Sequence, residues 1–169
     1  MTGYYARLIA IGILITAFSW TIVAQETQIV GDFIYRPALD DFDDTDRSLI
    51  ATSGEDGGLL AWRCLSDGLN VVLDVETYYG GDDDDDIQVR YRFDQNEASG
   101  YEYWRLFPAQ NEISYQRMNQ VPGFTAQARL ADSVVVEAVD PLDDESNRFT
   151  FELDGFSEAL NLLPCADTR

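Results

Sequence analysis

Residues 71–94, VVLDVETYYGGDDDDDIQVRYRFD, have the pattern of two β-strands joined by a turn. Apolar and polar residues alternate on both sides of the turn, so each segment has one apolar face and one mostly polar face. Gly80, Gly81 and the five aspartates at 82–86 mark the turn, because glycines and adjacent like charges are unfavourable within a strand. The stretch therefore predicts a β-hairpin within a mainly β protein.

The charges in the two strands favour one register for this hairpin. Residues that face each other across an antiparallel pair lie on the same side of the sheet. One register that places apolar residues opposite apolar residues also places Asp74 by Arg92 and Glu76 by Arg90. Each of these opposite-charge pairs would contribute roughly 0.2–1 kcal/mol, so we expect this register.

The rest of the chain repeats the same pattern, with turn residues about every ten positions. We expect an antiparallel β-sandwich that is closed at one end by a short C-terminal helix. In that helix, apolar residues recur at helical spacing, Asp154 can cap the start and Pro164 ends it. The other predicted strands cover residues 29–35, 47–53, 59–64, 101–107, 113–117, 133–139 and 148–153.

The first 24 residues have the pattern of a cleaved secretory signal peptide. Arg7 precedes a nearly continuous apolar run at residues 8–23, and a small residue precedes Gln25. The alternative is an uncleaved membrane anchor, because the run approaches the length that spans a bilayer. After cleavage, residues 25–46 are predicted to form an N-terminal extension and residues 47–169 a single exported domain without a membrane span, in the periplasm or outside the cell.

The chain is strongly acidic, with 31 aspartates and glutamates against 11 basic residues and a net charge of −20. Such a surface repels nucleic acids and anionic membranes, so neither is an expected partner. Two origins of this acidity stay open. Either the host lives in high salt, where acidic surfaces keep proteins soluble, or the charge is simply a solvated surface.

The only two cysteines, Cys64 and Cys165, predict an intramolecular disulfide, because an exported chain meets an oxidising compartment. The bond would close a loop of about 100 residues and would contribute up to ~4.7 kcal/mol in the chain-entropy model. The alternative is a pair of buried free thiols.

The residue types that are missing exclude several kinds of catalysis. The chain has no histidine, which excludes Ser-His-Asp and Cys-His nucleophiles. It also has no lysine, which excludes Schiff bases and P-loops. A pair of carboxylates could act as in a glycosidase, but among so many acids no pair stands out. We therefore predict no enzymatic activity and no catalytic residue.

Calcium binding is the alternative that the acidic turns favour, because calcium takes six to eight oxygen ligands. The candidate ligands are Asp82, Asp83, Asp84, Asp85 and Asp86, and the acidic turns at 40–46 and 140–144 also qualify. Carboxylates in five consecutive positions point in different directions, which favours a solvated turn without a cofactor.

The aromatic segment at residues 101–107 is a second candidate surface. Tyr101, Tyr103 and Trp104, together with Tyr115, could stack on sugars, since exposed aromatic patches often mark binding surfaces. The alternative is core packing, because these residues also lie in predicted strands.

Several short motifs lie at intervals along residues 40–165. They are Asp40-Asp41 before a strand, the Leu-x-x-x-x-Cys segment at 59–64, Tyr-Arg-Phe-Asp at 91–94, Trp104 in an aromatic strand, and the closing segment Phe-Glu-Leu-Asp-Gly-Phe at 151–156 with Ala159, Leu160, Leu163 and Cys165. In these motifs the chain resembles the TagO group of periplasmic proteins associated with bacterial type VI secretion, and similar small exported or prophage-borne proteins. The early Arg-Leu-x-Cys-Tyr-Asp segment of that group does not occur in this chain, and the closing motif also recurs in other small exported proteins, including invasion-associated ones.

The resemblance implies a β-sandwich with a bridge between Cys64 and Cys165, and it supplies no known catalytic residues to carry over. Together with the composition, it leads us to expect an exported, non-enzymatic binding or accessory module of the cell envelope or of a secretion system. Its partner would be another protein or an envelope component. The alternatives are a calcium-dependent binding module and a small carboxylate-based hydrolase.

Overall fold

A computed structural model of the chain describes residues 26–79, 86–108, 110–140 and 144–166. These ranges contain ten β-strands and two short helices. The strands are β1 (Gln28–Val30), β2 (Phe33–Arg36), β3 (Leu49–Ser53), β4 (Leu59–Leu65), β5 (Gly68–Asp74), β6 (Asp86–Phe93), β7 (Glu102–Phe107), β8 (Gln110–Tyr115), β9 (Ser133–Val139) and β10 (Ser146–Glu152), and the helices are α1 (Val121–Ala128) and α2 (Phe156–Leu160).

All ten strands belong to one antiparallel sheet, with neighbours in the order β1-β2-β3-β4-β5-β8-β7-β6-β9-β10. The sheet bends so that β10 approaches the end of β3. The backbone N–H of Glu55 donates to the carbonyl of Thr150 at 3.1 Å, and the Thr52 hydroxyl donates to the carbonyl of Glu152 at 3.4 Å. The predicted mainly β, antiparallel fold with a C-terminal helix is confirmed, and the two halves of the bent sheet cover one core.

Both helices pack on the inner face of the sheet, which is the face toward the core. Phe124 of α1 is fully buried, and its ring contacts Trp62, Tyr91, Phe93 and Trp104 with centroids 4.7–5.9 Å apart. This one side chain therefore touches strands β4, β6 and β7. Burying an aromatic side chain against others is among the largest single contributions to core stability.

The hairpin predicted for residues 71–94 is wrong in its pairing. Strand β5 pairs with β4 and β8, while β6 pairs with β7 and β9. The predicted pairs of Asp74 with Arg92 and of Glu76 with Arg90 therefore do not form. Eleven residues separate the two strands, whereas hairpin loops usually have about 2–5. The predicted apolar faces are confirmed, because the alternating residues of both strands are buried: Val71, Leu73, Val75, Ile87, Val89, Tyr91 and Phe93.

The segment at 25–46, predicted as an extension before the domain, contributes two strands to the sheet. Strands β1 and β2 pair with each other, and β2 pairs with β3. Phe33 and Tyr35 alternate with exposed residues and are buried in the core. The strand predicted at 29–35 is therefore present as two short strands of three and four residues, and the domain boundary predicted at residue 47 falls inside the sheet. So short a segment carries a weak periodic signal, which is why it was placed outside the domain.

The predicted disulfide is confirmed. Cys64 of β4 is bonded to Cys165, with Cα atoms 5.7 Å apart. The bond ties the segment that follows α2 to the fourth strand. Among the residues that the structure describes, no helix is long and apolar enough to cross a membrane; the predicted signal peptide at 1–24 lies outside the described residues.

Helix α2 begins later than predicted, and Asp154 is not its cap. The cap residue is Gly155, which has a φ of +78°. Asp154 instead bonds the β1–β2 turn: its N–H donates to the Asp32 carboxylate, and its carbonyl accepts the Asp32 N–H, both at 3.0 Å. A Cβ atom on Gly31 would lie 2.2 Å from the carbonyl oxygen of Asp154, so this contact requires a glycine.

The outer face of the sheet carries its own small apolar cluster over β3, β4, β5 and β8. Ala51, Ala61, Val72 and Tyr115 are directly opposed on these four strands, and we call them the apolar row. The first three are less than a tenth exposed. The side chains that cover them are Leu49, Leu59 and Ile113, together with Tyr115 itself.

Candidate functional site

A second row on the outer face is made of charges. Strand pairing places Arg90 of β6 and Arg148 of β10 on either side of Glu137 of β9. The Arg90 guanidinium lies 2.7 Å from one carboxylate oxygen of Glu137, and the Arg148 guanidinium lies 2.5 Å from the other. We call these three residues the charged row. One carboxylate thus joins three neighbouring strands.

Tyr101, which precedes β7, completes the surroundings of this carboxylate. Its hydroxyl donates to Glu137 at 2.9 Å, and the Arg90 guanidinium lies 5.0 Å from the centre of its ring. The Glu137 side chain is only 8% exposed, although it points outward from the sheet. The two arginines and the tyrosine cover it. Burying a carboxylate is unfavourable unless it is paired, so Glu137 depends on these three partners.

Hydrogen bonding fixes the protonation state of this group. The bond from Arg148 lowers the pKa of Glu137 below its ordinary value, and Tyr101 and Arg90 add to the effect, while burial opposes it. The bond to Glu137 raises the pKa of the Tyr101 hydroxyl. The carboxylate is therefore a stable acceptor and the hydroxyl a stable donor at neutral pH.

A cleft of about 380 Å³ opens beside the charged row. Its floor is the next row of the same three strands, in which Arg92, Val135 and Thr150 are directly opposed. We call these the valine row. Arg92 is exposed and forms no ion pair with any described acid. The cleft is lined by Arg90, Tyr91, Arg92, Ala98, Val135, Glu137, Arg148 and Thr150.

The charge of this cleft is opposite to that of the chain. Three arginines and one glutamate line it, three positive charges against one negative, whereas the chain as a whole carries −20. A concave site with positive potential attracts anions more strongly than the acidic surface around it does. Arginine suits carboxylates in particular, because its planar fork matches their two oxygens.

The predicted aromatic surface is divided by the strand alternation. Tyr101 and Tyr103 are 47% and 54% exposed, whereas Trp104 is fully buried in the core. Trp104 was a wrong choice for the surface because adjacent residues of a strand point to opposite faces. Tyr115 belongs to the apolar row. Tyr103 lies directly opposite Gln88 of β6, on the same outer face as the charged row.

The acidic turns do not form a metal site among the described residues. There, no group of three acids is close enough to hold a metal ion. Asp86 begins β6 and pairs with Arg117, while Asp82, Asp83, Asp84 and Asp85 lie outside the described ranges. The solvated turn that we favour, with calcium binding as its alternative, stays a prediction.

In the turn at 40–46, aspartates hold the loop itself together. The carboxylates of Asp40, Asp43 and Asp46 each accept a backbone N–H two residues further on, at 2.9 Å. Asp40 also forms an ion pair with Arg47 at 2.8 Å. These acids therefore have a local structural use as turn formers.

Glu102 is a second carboxylate with close partners, at the edge of the core. It accepts the Tyr91 hydroxyl at 3.1 Å and the Gln116 amide at 3.2 Å. Burial, with the neighbouring Glu102 charge, raises the pKa of Tyr91. The carboxylate is thus engaged in a network that joins side chains of two strands, β6 and β7, to the segment after β8.

Sequence reasoning missed Glu137 and its two arginines as a group. The signal that could have found Glu137 is a single acid within the apolar run SVVVEAV at 133–139, because an acid in such a run needs an opposite charge on a neighbouring strand. Arg90 could not be assigned to it, since its pairing was predicted wrongly with Glu76, and no partner was predicted for Arg148.

No protein-family model matches the chain, and no curated protein matches it. Among solved structures, the chain is similar to the crystal structure of invasion associated protein B from Bartonella henselae. The TM-score is 0.50 and the sequence identity 14%, over 81% of this chain and 94% of that chain. At this identity the similarity shows a shared fold and carries no residue from one protein to the other.

Proposed function

We propose that the chain is an exported, non-enzymatic binding protein that serves as an accessory module of the cell envelope or of a secretion system. Its binding surface is the outer face of β6, β7, β9 and β10. The apolar leader at residues 8–23 and the disulfide between Cys64 and Cys165 support export. The chain is also similar in fold to a protein described as invasion associated.

The arginine cleft is the observation that carries this proposal. In a chain with 11 basic residues and 31 acids, Arg90, Arg92 and Arg148 lie around one cleft. Two half-exposed tyrosines, Tyr101 and Tyr103, extend the same face. Arginine and tyrosine are among the residue types enriched in binding surfaces, and the excess of positive charge in the cleft favours an anionic group of the ligand.

A hydrolytic role is less well supported by the chemistry of Glu137. A general acid needs a raised pKa so that it is protonated at neutral pH. The pKa of Glu137 is instead lowered, and both of its oxygens are already occupied by Arg90, Arg148 and Tyr101. The arrangement holds a charge in place and does not deliver a proton.

The proposal is tested by sedimenting the exported protein with envelope fractions of the source cell. We expect the wild type to sediment with them and the double variant Tyr103→Ala/Arg92→Gln to bind at least tenfold more weakly. The matched control is Ile34→Ala/Arg36→Gln, which removes an exposed apolar residue and an arginine from the outer face of β2. Equal binding by both variants, or no binding by the wild type, would overturn the proposed surface.

Export is tested separately by the N-terminus of the protein recovered outside the cytoplasm. Cleavage of the predicted signal places Gln25 first, which mass spectrometry of the intact chain resolves. Recovery of a chain that retains the apolar run in the membrane fraction would replace export by anchoring.

A further inference from the structure

The valine row repeats the charged row with one change. Residues two apart in a strand lie on the same face, about 6.6–6.8 Å from each other. Moving by two residues from the charged row therefore replaces Arg90 by Arg92, Glu137 by Val135 and Arg148 by Thr150. The acid that neutralises the arginines in the charged row has no counterpart in the valine row.

The groups around Val135 form an incomplete copy of the surroundings of Glu137. Arg92 extends from one side and Thr150 supplies a hydroxyl on the other. Arg148 uses one terminal nitrogen for Glu137 and is 66% exposed, which leaves the rest of its fork open to the cleft. Val135 and Ala98 offer apolar contact for the carbon next to an incoming acid group.

We propose that the cleft binds a single carboxylate of its ligand above Val135, held by Arg92, Arg148 and the Thr150 hydroxyl. This inference rests on the proposed function and names the ligand chemistry at that surface. Glu137 shows that arginines at this strand spacing hold a carboxylate, with guanidinium nitrogens 2.5 and 2.7 Å away. The incoming group completes the valine row as Glu137 completes the charged row.

The lining of the cleft favours a monocarboxylate over a tetrahedral anion. Attraction to the three arginines and repulsion from the acidic surface both grow in proportion to the charge of the ligand, so charge alone does not select between the two. The planar fork of arginine matches the two oxygens of a carboxylate. The side chains of Val135 and Ala98 offer no donor to the further oxygens of phosphate or sulfate, so we expect these ions to bind more weakly.

The experiment is an NMR titration of the exported protein with acetate at constant ionic strength, following the Nε–Hε signals of the arginine side chains. We expect saturable shifts of Arg92 and Arg148 in the wild type and at least tenfold weaker binding in Arg92→Gln. The control variant Arg36→Gln, an exposed arginine on the outer face of β2, should titrate like the wild type. Shifts that do not saturate, or that are the same in both variants, would overturn the proposal.

Val135→Glu provides a second variant that does not remove an arginine. Its own carboxylate fills the valine row, so acetate should no longer shift Arg92, whereas Val135→Gln should keep part of the response. If Val135→Glu binds acetate as the wild type does, the carboxylate is held elsewhere and the inference fails. Tighter binding of phosphate or sulfate than of acetate would also overturn it.

Two small acids then separate the sources of the carboxylate. Glucuronate carries it on a sugar ring, and N-acetylglycine carries it as a peptide terminus. Either acid binding more tightly than acetate supports the site and identifies the body of the ligand. If neither they nor acetate bind, while Tyr103→Ala/Arg92→Gln still loses envelope binding, the carboxylate site is wrong and the proposed function stands.

Discussion

One half of the outer face of the sheet is covered by small apolar residues, and the other half is covered by charged residues. In the apolar row, Ala51, Ala61 and Val72 are buried under their own neighbours. In the charged row, Glu137 is equally buried, but two arginines and a tyrosine cover it. The apolar row is covered by side chains of its own neighbours. The charged row, in contrast, leaves arginine N–H donors unused at the edge of a cleft. This difference is the reason why we propose the charged half as the surface that recognises another molecule.

The two halves also differ in covalent support, which gives the largest expected effect. Strand β4 of the apolar half is bonded through Cys64 to Cys165, across a sequence separation of 101, and the chain has no other cysteines. The double variant Cys64→Ser/Cys165→Ser should lower the free energy of unfolding by about 4 kcal/mol, because a cross-link of this span restricts the unfolded chain strongly. Urea denaturation measures the loss.

Hydrogen exchange of the same double variant shows whether the disulfide stabilises only the region around it. Protection in β4 and α2 should fall more than protection in β9, since the bond joins only the first two regions. A uniform loss over both halves would mean that the bent sheet unfolds as one unit and that the halves are not separable in stability.

Introducing a carboxylate into each half tests the comparison directly. Val72→Glu places the charge beside Ala61 in the apolar row, whereas Val135→Glu places it opposite Arg92. We expect Val72→Glu to be less stable than Val135→Glu by about 3 kcal/mol, because an unpaired buried charge costs far more than a paired one. Thermal and urea denaturation of the two variants measure the difference.

The neutral substitutions Val72→Gln and Val135→Gln separate charge from shape. If each valine tolerates glutamine and glutamate equally, the difference between the halves is one of packing. In that case the arginines beside Val135 do not create a site for negative charge.

The sequence allowed the faces of the strands to be predicted but not their partners. Alternation at 71–75 and 87–93 assigned the buried side chains correctly, because a period of two is a local property of the chain. Pairing depends on which distant segments meet, and here β8 and β7 lie between β5 and β6. Two strands that follow each other in the sequence are thus separated by two other strands in the sheet.

The candidate site depended on this pairing and was missed for the same reason. Tyr101 and Tyr103 were predicted as surface residues, but the role of Tyr101 as a donor to Glu137 requires β7, β6 and β9 to lie side by side. The disulfide was predicted correctly because the chain has two cysteines, which leave only one intramolecular pairing. Glu137 is one acid among 31, and its ion pairs can be identified only when the strands on either side of β9 are known.

Neutralising Glu137 should have a moderate effect that depends on pH. Glu137→Gln should lower the free energy of unfolding at pH 7 by about 1 kcal/mol, since the arginines, 41% and 66% exposed, regain water when the pair is broken. The pKa of Glu137 is lowered in the folded state, so its contribution is present above the ordinary value of 4.5 and is lost as the pH falls through the lower folded pKa.

The difference between wild type and Glu137→Gln should therefore be constant from neutral pH down to the ordinary carboxyl pKa and shrink below it. Glu152→Gln is the matched control, because Glu152 is an exposed glutamate on β10, the strand of Arg148. A difference that grows as the pH falls would contradict the assigned direction of the pKa.

The acid-rich turn at 82–86 is the counterpart of the arginine cleft and gives the smallest expected effect. In the cleft, Glu137 separates two of the arginines, whereas the turn places five aspartates in succession with no base between them. Asp86, the one member that the structure describes, already pairs with Arg117.

Calcium bound only to the folded protein at a hundredfold excess over its Kd would add about 2.7 kcal/mol to stability. Consecutive carboxylates do not converge on one ion without ligands from another loop, so we expect millimolar calcium to leave Tm unchanged relative to magnesium at equal ionic strength. A calcium-specific rise of several degrees, abolished by replacing residues 82–86 with asparagine, would make the turn a metal site and give this acidic protein a second functional region next to β6.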